Sequence, residues 1–162
     1  MIVSSQQQFL RFQLQSELTA VIEIALVTEL VNIPSDRIVP MPHLPPAVMG
    51  VYNWRGEILW VVDLAVLLGA RSSTSQHRNL QPTIILTSEV NGENRQSKTV
   101  GFVVEAIAEI AWFDPLPAVG AKDIDPKFAS WASGVLVTAT GEQLLKLDGH
   151  TIVDRIDFNA DI

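Results

Sequence analysis

The stretch MGVYNWRGEILWVVDL, residues 49–64, decides the fold of this chain. Apolar residues run up to the polar group NWRG and resume directly after it, which is typical of two strands joined by a tight turn. The β-branched and aromatic residues of GEILWVVDL favour a strand between Gly56 and Asp63. Asp63 can then cap a short helix over LAVLL that ends at Gly69. The question that this stretch raises is why so apolar a segment displays Arg55 at its turn.

The composition indicates a globular protein that does not bind nucleic acid. The chain has 162 residues, of which 48% are hydrophobic and 18% charged, and its formal net charge is −7. An acidic surface opposes approach to phosphate backbones, and no basic stripe is present. The absence of cysteine excludes disulfides and thiolate ligands. Because the chain starts without a signal-peptide pattern and has no apolar run near about 18 residues, we expect a soluble cytoplasmic protein without direct membrane insertion.

Short strands separated by turns recur along the rest of the chain. Alternation with a period of two predicts strands at QFLRFQL and TAVIEI, whereas ALVTELVNI fits a strand or a helical turn. The proline-rich PSDRIVPMPHLPP predicts an extended loop, and ARSSTSQHRNLQP and NGENRQSK predict polar connections. Further strands are predicted at TIILTSEV, at TVGFVVEAIAEIAWF as one or two strands forming a hairpin with it, at SGVLVTA and at EQLLKLD, with a last short helix near TIVDRI. This pattern favours small antiparallel barrels over a βαβ sheet.

One supersecondary unit occurs twice in the sequence. GEILWVVD, residues 56–63, and GEQLLKLD, residues 141–148, share glycine, glutamate, leucine and aspartate at matching positions. Each follows a Gly-Val pair and precedes a short apolar segment. The similarity predicts two equivalent halves, although glycine, a strand and a capping aspartate also occur together by chance.

No group of residues in the sequence points to catalysis. There is no nucleophile elbow and no glycine-rich phosphate loop. The histidines are not spaced as metal ligands, and the acidic pairs are more typical of a solvated face. The residues considered were His43, His77, His150, Glu105, Glu109, Asp123 and Asp125. We therefore expect no enzyme, no metal site and no cofactor.

Arg55 has two interpretations on spacing alone. It is either a turn residue that points into water beside a permissive Gly56, or a guanidinium that a rigid loop presents to a protein partner. Arginine and tryptophan are the residue types most often found at interface hot spots.

The block PPAVMGVYNWRGEILWVVDLAVLLG resembles the signature of CheW-like domains, the scaffold proteins of bacterial chemotaxis-type signalling. That signature has a proline, a G-V-x-N-x-R-G turn and an I-x-x-V-x-D-L strand. The matching residues are Pro46, Gly50, Val51, Asn53, Arg55, Gly56, Ile58, Val61, Asp63 and Leu64. Weaker matches extend over residues 8–156. The resemblance implies an all-β fold of two small five-stranded, SH3-like antiparallel barrels packed on a shared hydrophobic core, with a few short helices. We expect one such domain over residues 8–157, with tails at 1–7 and 158–162.

The resemblance also implies a non-catalytic function. Members of the family bridge the regulatory domain of a CheA-type histidine kinase and the cytoplasmic tip of a chemoreceptor, at membrane-associated receptor arrays. The family's arginine matches Arg55 and its V-x-E segment matches Val27 and Glu29. We therefore expect a partner-binding site that comprises Val27, Glu29, Asn53, Trp54, Arg55 and Gly56, in which a charge-assisted hydrogen bond from Arg55 to Glu29 orients the guanidinium.

The chain departs from the family pattern at a few positions. Trp54 replaces the usual aliphatic residue, Trp60 stands where proline is common, Ala65 where a basic residue is frequent, and Glu105 replaces aspartate. The two tryptophans either pack across the sheet or change the partner surface. Two alternatives to an active adaptor stay open: a ligand-binding or enzymatic barrel that shares only the architecture, and an inhibitory competitor for array sites.

Overall fold

A computed structural model describes residues 6–70, 78–89, 97–115 and 124–156. Residues 1–5 of the predicted tail at 1–7, the predicted tail at 158–162, most of the two polar connections, His77 and Asp123 lie outside the described residues. The strands, in chain order, are β1 (Gln7–Gln15), β2 (Leu18–Glu23), β3 (Val27–Pro34), β4 (Val48–Trp54), β5 (Glu57–Asp63), β6 (Leu80–Glu89), β7 (Ser97–Val103), β8 (Ala106–Phe113), β9 (Ala132–Val137) and β10 (Gln143–Leu147). The α-helices are α1 (Leu64–Leu67) and α2 (Gly149–Arg155), and short 3-10 helices occupy Ile24–Leu26 and Ser35–Arg37.

The strands form two curled five-stranded sheets, as predicted. The first sheet has the order β8-β1-β2-β10-β9 and the second the order β3-β6-β7-β5-β4. Pairing is antiparallel except at one place in each sheet, where β10 runs parallel to β2 and β5 runs parallel to β7. The family pattern had predicted antiparallel sheets. The parallel pairs arise because the hairpins β4–β5 and β9–β10 are each attached to their sheet through their second strand.

Two stretches that were ambiguous in the sequence each form two successive elements of secondary structure. ALVTELVNI is partly a 3-10 turn, Ile24–Leu26, and then the strand β3. TVGFVVEAIAEIAWF is two strands that belong to different sheets, and β7 pairs with β6 as the predicted hairpin. Between them, the amide of Val104 donates to the carbonyl of Pro82 and the amide of Glu105 to that of Gln13. Consecutive residues are thus anchored to opposite halves of the molecule.

The main apolar core lies between the two sheets. Its cluster of buried residues is larger than those inside either sheet, and it combines Leu10, Phe12 and Ile22 of the first sheet with Ile84 and Phe102 of the second. Helix α2 directly follows β10 of the first sheet yet packs on β6 and β7 of the second, and α1 directly follows β5 of the second sheet yet touches β1 of the first. Burial of this shared core therefore holds the two halves together.

The repeat predicted from the sequence is present in the structure. Asp63 accepts a hydrogen bond from the amide of Val66 at the start of α1, and Asp148 accepts one from Thr151 at the start of α2. The glycines before the second strands, Gly56 and Gly141, have φ of 82° and 87°. Because the strand orders of the two sheets also correspond position by position, the two halves are equivalent.

Gly50 is needed for a close approach between the extended loop and β4. Its φ is +146°, and an added Cβ would overlap the backbone carbonyl of Val39. That carbonyl accepts a hydrogen bond from the amide of Val51 at 2.9 Å, and the Val39 amide donates back at 2.8 Å. The loop that carries Val39 is thereby held against the hairpin.

We predict that Gly50→Ala lowers the free energy of unfolding by about 3 kcal/mol or more, because the backbone of Val39 must move. Gly141→Ala is the matched control: its φ is also positive, but a Cβ there meets no atom within 4 Å. We expect it to cost only about 1 kcal/mol. Urea unfolding measures both, and equal losses for the two variants would contradict this account.

Candidate functional site

The hairpin between β4 and β5 ends in a two-residue turn with an unusual backbone. Arg55 has φ of +53° and Gly56 has φ of +82°, the pattern of a type I′ turn. The Asn53 side chain accepts a hydrogen bond from the amide of Gly56 at 2.9 Å, which closes the turn. Glycine suits this backbone, but a positive φ costs an arginine about 1 kcal/mol. The turn therefore holds Arg55 in a conformation that its own residue type does not favour.

Glu29 reaches the turn from the opposite edge of the same sheet. It lies on β3, where the register with β6 shifts between Val27 and Glu29, so that Thr28 is an extra residue. Such a bulge redirects the side chains that follow it. Because β3 and β4 are the two terminal strands of this curled sheet, Glu29 and Arg55 come from opposite edges and meet through their side chains.

Three side chains form one polar cluster, which we call the Arg55 cluster: Glu29, Trp54 and Arg55. The Arg55 Nη2 donates to Glu29 Oε1 at 2.8 Å, and the indole Nε1 of Trp54 donates to Glu29 Oε2 at 2.9 Å. The Arg55 guanidinium carbon lies 5.4 Å from the centroid of the Trp54 ring. The Arg55 side chain is 70% exposed and that of Glu29 is 28% exposed, so the guanidinium is accessible to a partner.

The structure brings together five of the six residues expected at the partner site: Asn53, Trp54, Arg55, Gly56 and Glu29. The expected contact between Glu29 and Arg55 is present. The sixth residue, Val27, precedes the bulge on β3 and packs against the core shared by the two sheets. The assignment of these residues to partner binding stays a prediction.

The two tryptophans differ in their surroundings. Trp54 packs against the apolar cluster inside the second sheet, with only its N–H committed to Glu29. Trp60 lies on the other face of the hairpin, opposite Val51, and is half-buried. Trp54 therefore packs across the sheet, one of the two roles considered from the sequence, and its N–H also belongs to the Arg55 cluster. A change of the partner surface by Trp54 stays a prediction.

Sequence reasoning missed an exposed apolar surface on the outer face of the same hairpin. Strand pairing places Val39, Val51, Ile58 and Trp60 on that face, and we call this group the outer hairpin patch. Ile58 is 76% exposed and Val39 is 56% exposed. Exposed apolar groups of this kind mark interaction sites when they are contiguous. The available signal was the alternation of β5, in which Ile58 and Trp60 lie on the face opposite to that of the buried Leu59 and Val61.

A further exposed pair lies on β8, a terminal strand of the first sheet. Ile110 and Trp112 are 51% and 59% exposed. Among the described residues, β8 pairs only with β1. The alternation of AIAEIAWF, in which apolar residues occur on both faces, was the sequence signal for this surface.

The other candidate residues do not assemble into a chemical site in the described part of the chain. No three His, Asp or Glu side chains there converge in a way that could hold a metal ion. His150 is exposed, and its Nδ1 lies within hydrogen-bond distance of the Ser88 hydroxyl, at 3.3 Å. None of the helices described is long and apolar enough to cross a membrane.

Comparison with known proteins identifies similar chains. The family model for the CheW-like domain matches residues 8–157. The chemotaxis protein CheW of Rhizobium meliloti is 34% identical over 98 residues, which are 60% of this chain and 57% of that protein. The probable chemotaxis protein CheW of Rhizobium etli is 31% identical over 94 residues, 55% of this chain and 54% of that protein. The matched stretch thus spans little more than half the length of these relatives.

A solved structure shares the fold. The crystal structure of the scaffolding protein TtCheW from Thermoanaerobacter tengcongensis matches with a TM-score of 0.71, over 90% of this chain and 91% of that one, at 21% identity. The predicted architecture of two small SH3-like barrels is therefore confirmed.

We predict that Arg55→Asn leaves the free energy of unfolding within about 1 kcal/mol of the original value, because asparagine suits the first position of a type I′ turn and an exposed ion pair contributes about 0–1 kcal/mol. Thermal and urea unfolding measure this. A loss of more than about 2 kcal/mol would show that the Arg55 side chain is part of the structural framework.

Proposed function

Because the chain belongs to the CheW-like domain family, we propose that it is a non-catalytic adaptor of a chemotaxis-type signalling system. In this proposal it couples a CheA-type histidine kinase to chemoreceptors, in flagellar chemotaxis, phototaxis or type IV pilus motility. The observation that carries the proposal is the Arg55 cluster, a preformed and accessible guanidinium at the turn that also bears the family motif.

The receptor tip is the proposed partner of the Arg55 cluster. Arg55 carries five N–H donors, and its contact with Glu29 uses Nη2, which leaves donors for acceptors on a partner. The surrounding turn is held by the bond between Asn53 and Gly56, so a partner meets a backbone that is already ordered. Ordering before binding reduces the entropy lost on association. These features favour a binding site over a purely structural ion pair.

The regulatory domain of the kinase is the proposed partner of the outer hairpin patch. This surface lies on the same hairpin as Arg55, and its most exposed member, Ile58, is cross-strand from Asn53. An apolar centre with polar residues around it is the usual composition of a protein interface. Because side chains of neighbouring strand positions point to opposite faces, two partners can approach one rigid hairpin from two directions.

The proposed mechanism is the colocalisation of two macromolecules. An adaptor that holds kinase and receptor together raises the effective concentration of one near the other without any chemical step. We propose that the protein acts in the cytoplasm and is recruited to the membrane-associated arrays that its receptors form.

We predict that Arg55→Asn weakens binding to an isolated receptor tip by about 30-fold or more, as expected for a hot-spot residue. Binding to the kinase regulatory domain should stay unchanged. Isothermal titration calorimetry with each partner measures this. Binding of the receptor tip at full affinity would remove Arg55 from the proposed site, and failure of the unchanged protein to bind either partner would contradict the adaptor function.

We predict the reciprocal result for Ile58→Glu, which places a charge at the most exposed member of the outer hairpin patch. Kinase binding should weaken by about 30-fold or more, because an apolar contact is replaced by a charge that must lose its water. Receptor binding should be retained. The two variants are each other's control, since both lie on one hairpin, and loss of both activities in either variant would indicate damage to the hairpin instead.

A further inference from the structure

The Glu29 carboxylate is held through both of its oxygens. An exposed ion pair between flexible side chains is loosely ordered, because the terminal torsion of glutamate has a broad minimum. In this protein Glu29 Oε1 accepts from Arg55 and Oε2 accepts from the Trp54 indole. With a donor on each oxygen, the plane of the carboxylate is fixed. The direction of the Arg55 guanidinium is then fixed with it.

Trp54 is suited to hold the carboxylate because its own ring is held. The ring packs against the apolar cluster inside the second sheet, whose buried members include Leu59 and Val61. The indole has two side-chain torsions, so this packing fixes where its N–H points. The same ring lies 5.4 Å from the Arg55 guanidinium carbon, within the range of a cation–π contact. The packed interior therefore fixes the indole, the indole fixes the carboxylate, and the carboxylate orients the exposed arginine.

Backbone pairing does not supply this order. Glu29 lies on β3 and Arg55 follows β4, and these are the two terminal strands of the second sheet. Among the described residues, β3 pairs with β6 and β4 with β5, not with each other. The side-chain hydrogen bond from Trp54 to Glu29 spans the two edges. It determines where the carboxylate lies relative to the turn.

We propose that Trp54 is a positioning residue for Arg55, acting through Glu29, and that it thereby sets the affinity for the receptor tip; this inference rests on the proposed function. The aliphatic residue that the family more often has at this position could pack but could not donate to Glu29. Phenylalanine would keep the ring and its packing but lose the donor. The indole N–H is thus the group to which this inference assigns the positioning role.

The first test is Trp54→Phe, which removes the N–H alone. We expect affinity for the receptor tip to fall about three- to tenfold, the loss expected when one long side chain must be ordered on binding. Trp131→Phe is the matched control, because the Trp131 ring lies 5.0 Å from the Arg155 guanidinium carbon but belongs to the other half of the molecule. It should leave the affinity unchanged, and both variants should unfold at nearly the original temperature.

The second test separates positioning from a general loss of structure. In a Glu29→Ala background, Trp54→Phe should produce no further loss of affinity, because the group through which it acts is gone. Independently of any partner, nitrogen-15 relaxation of the Arg55 Nε–H should show a lower order parameter in Trp54→Phe than in the unchanged protein.

The outcomes distinguish this inference from the proposed function. An unchanged order parameter or an unchanged receptor affinity in Trp54→Phe would overturn the positioning role. So would a further loss of affinity when Trp54→Phe is added to the Glu29→Ala variant. If Arg55→Asn binds the receptor tip normally, the proposed site fails, while the relaxation measurement still decides whether Trp54 orders Arg55.

Discussion

The apolar core shared by the two sheets is the constraint on which the remaining structure depends. Each sheet alone encloses only a small cluster, whereas the larger cluster draws residues from both sheets and both short helices. The chain is interleaved to match, because it leaves the first sheet after β2 and returns to it at β8. Neither half can therefore bury its apolar surface without the other. The same close packing holds the base of the hairpin that carries Arg55.

The Arg55 cluster, unlike the shared core, lies at the surface. Arg55 occupies a backbone conformation that suits glycine or asparagine, and its side chain is mostly exposed. A residue held at positive φ is a common feature of functional sites, where the surrounding structure imposes the conformation. The bulge before Glu29 and the hydrogen bond from the Trp54 indole in turn determine where the Glu29 carboxylate lies.

The sequence predicted the fold well because its signals were local and repeated. The capping role of Asp63, the two-residue turn after Trp54 and the repeated unit ending at Asp148 all follow from spacing and residue type. It did not predict the parallel pairs, which depend on where each hairpin attaches to its sheet, nor the bond from Trp54 to Glu29, which joins strands far apart in the chain. The exposure of Ile58 was missed because a strand rich in apolar residues does not reveal which face lacks a covering layer.

Simultaneous binding is the central claim, and a three-component sedimentation experiment tests it most directly. The protein, the kinase regulatory domain and a receptor tip are mixed at concentrations above their pairwise dissociation constants, with the protein limiting and the other two components also mixed without it. We predict one species that contains all three components and that is absent when the protein is left out. Two separate binary complexes that never combine would contradict it, since a chain that binds only one partner at a time cannot couple them.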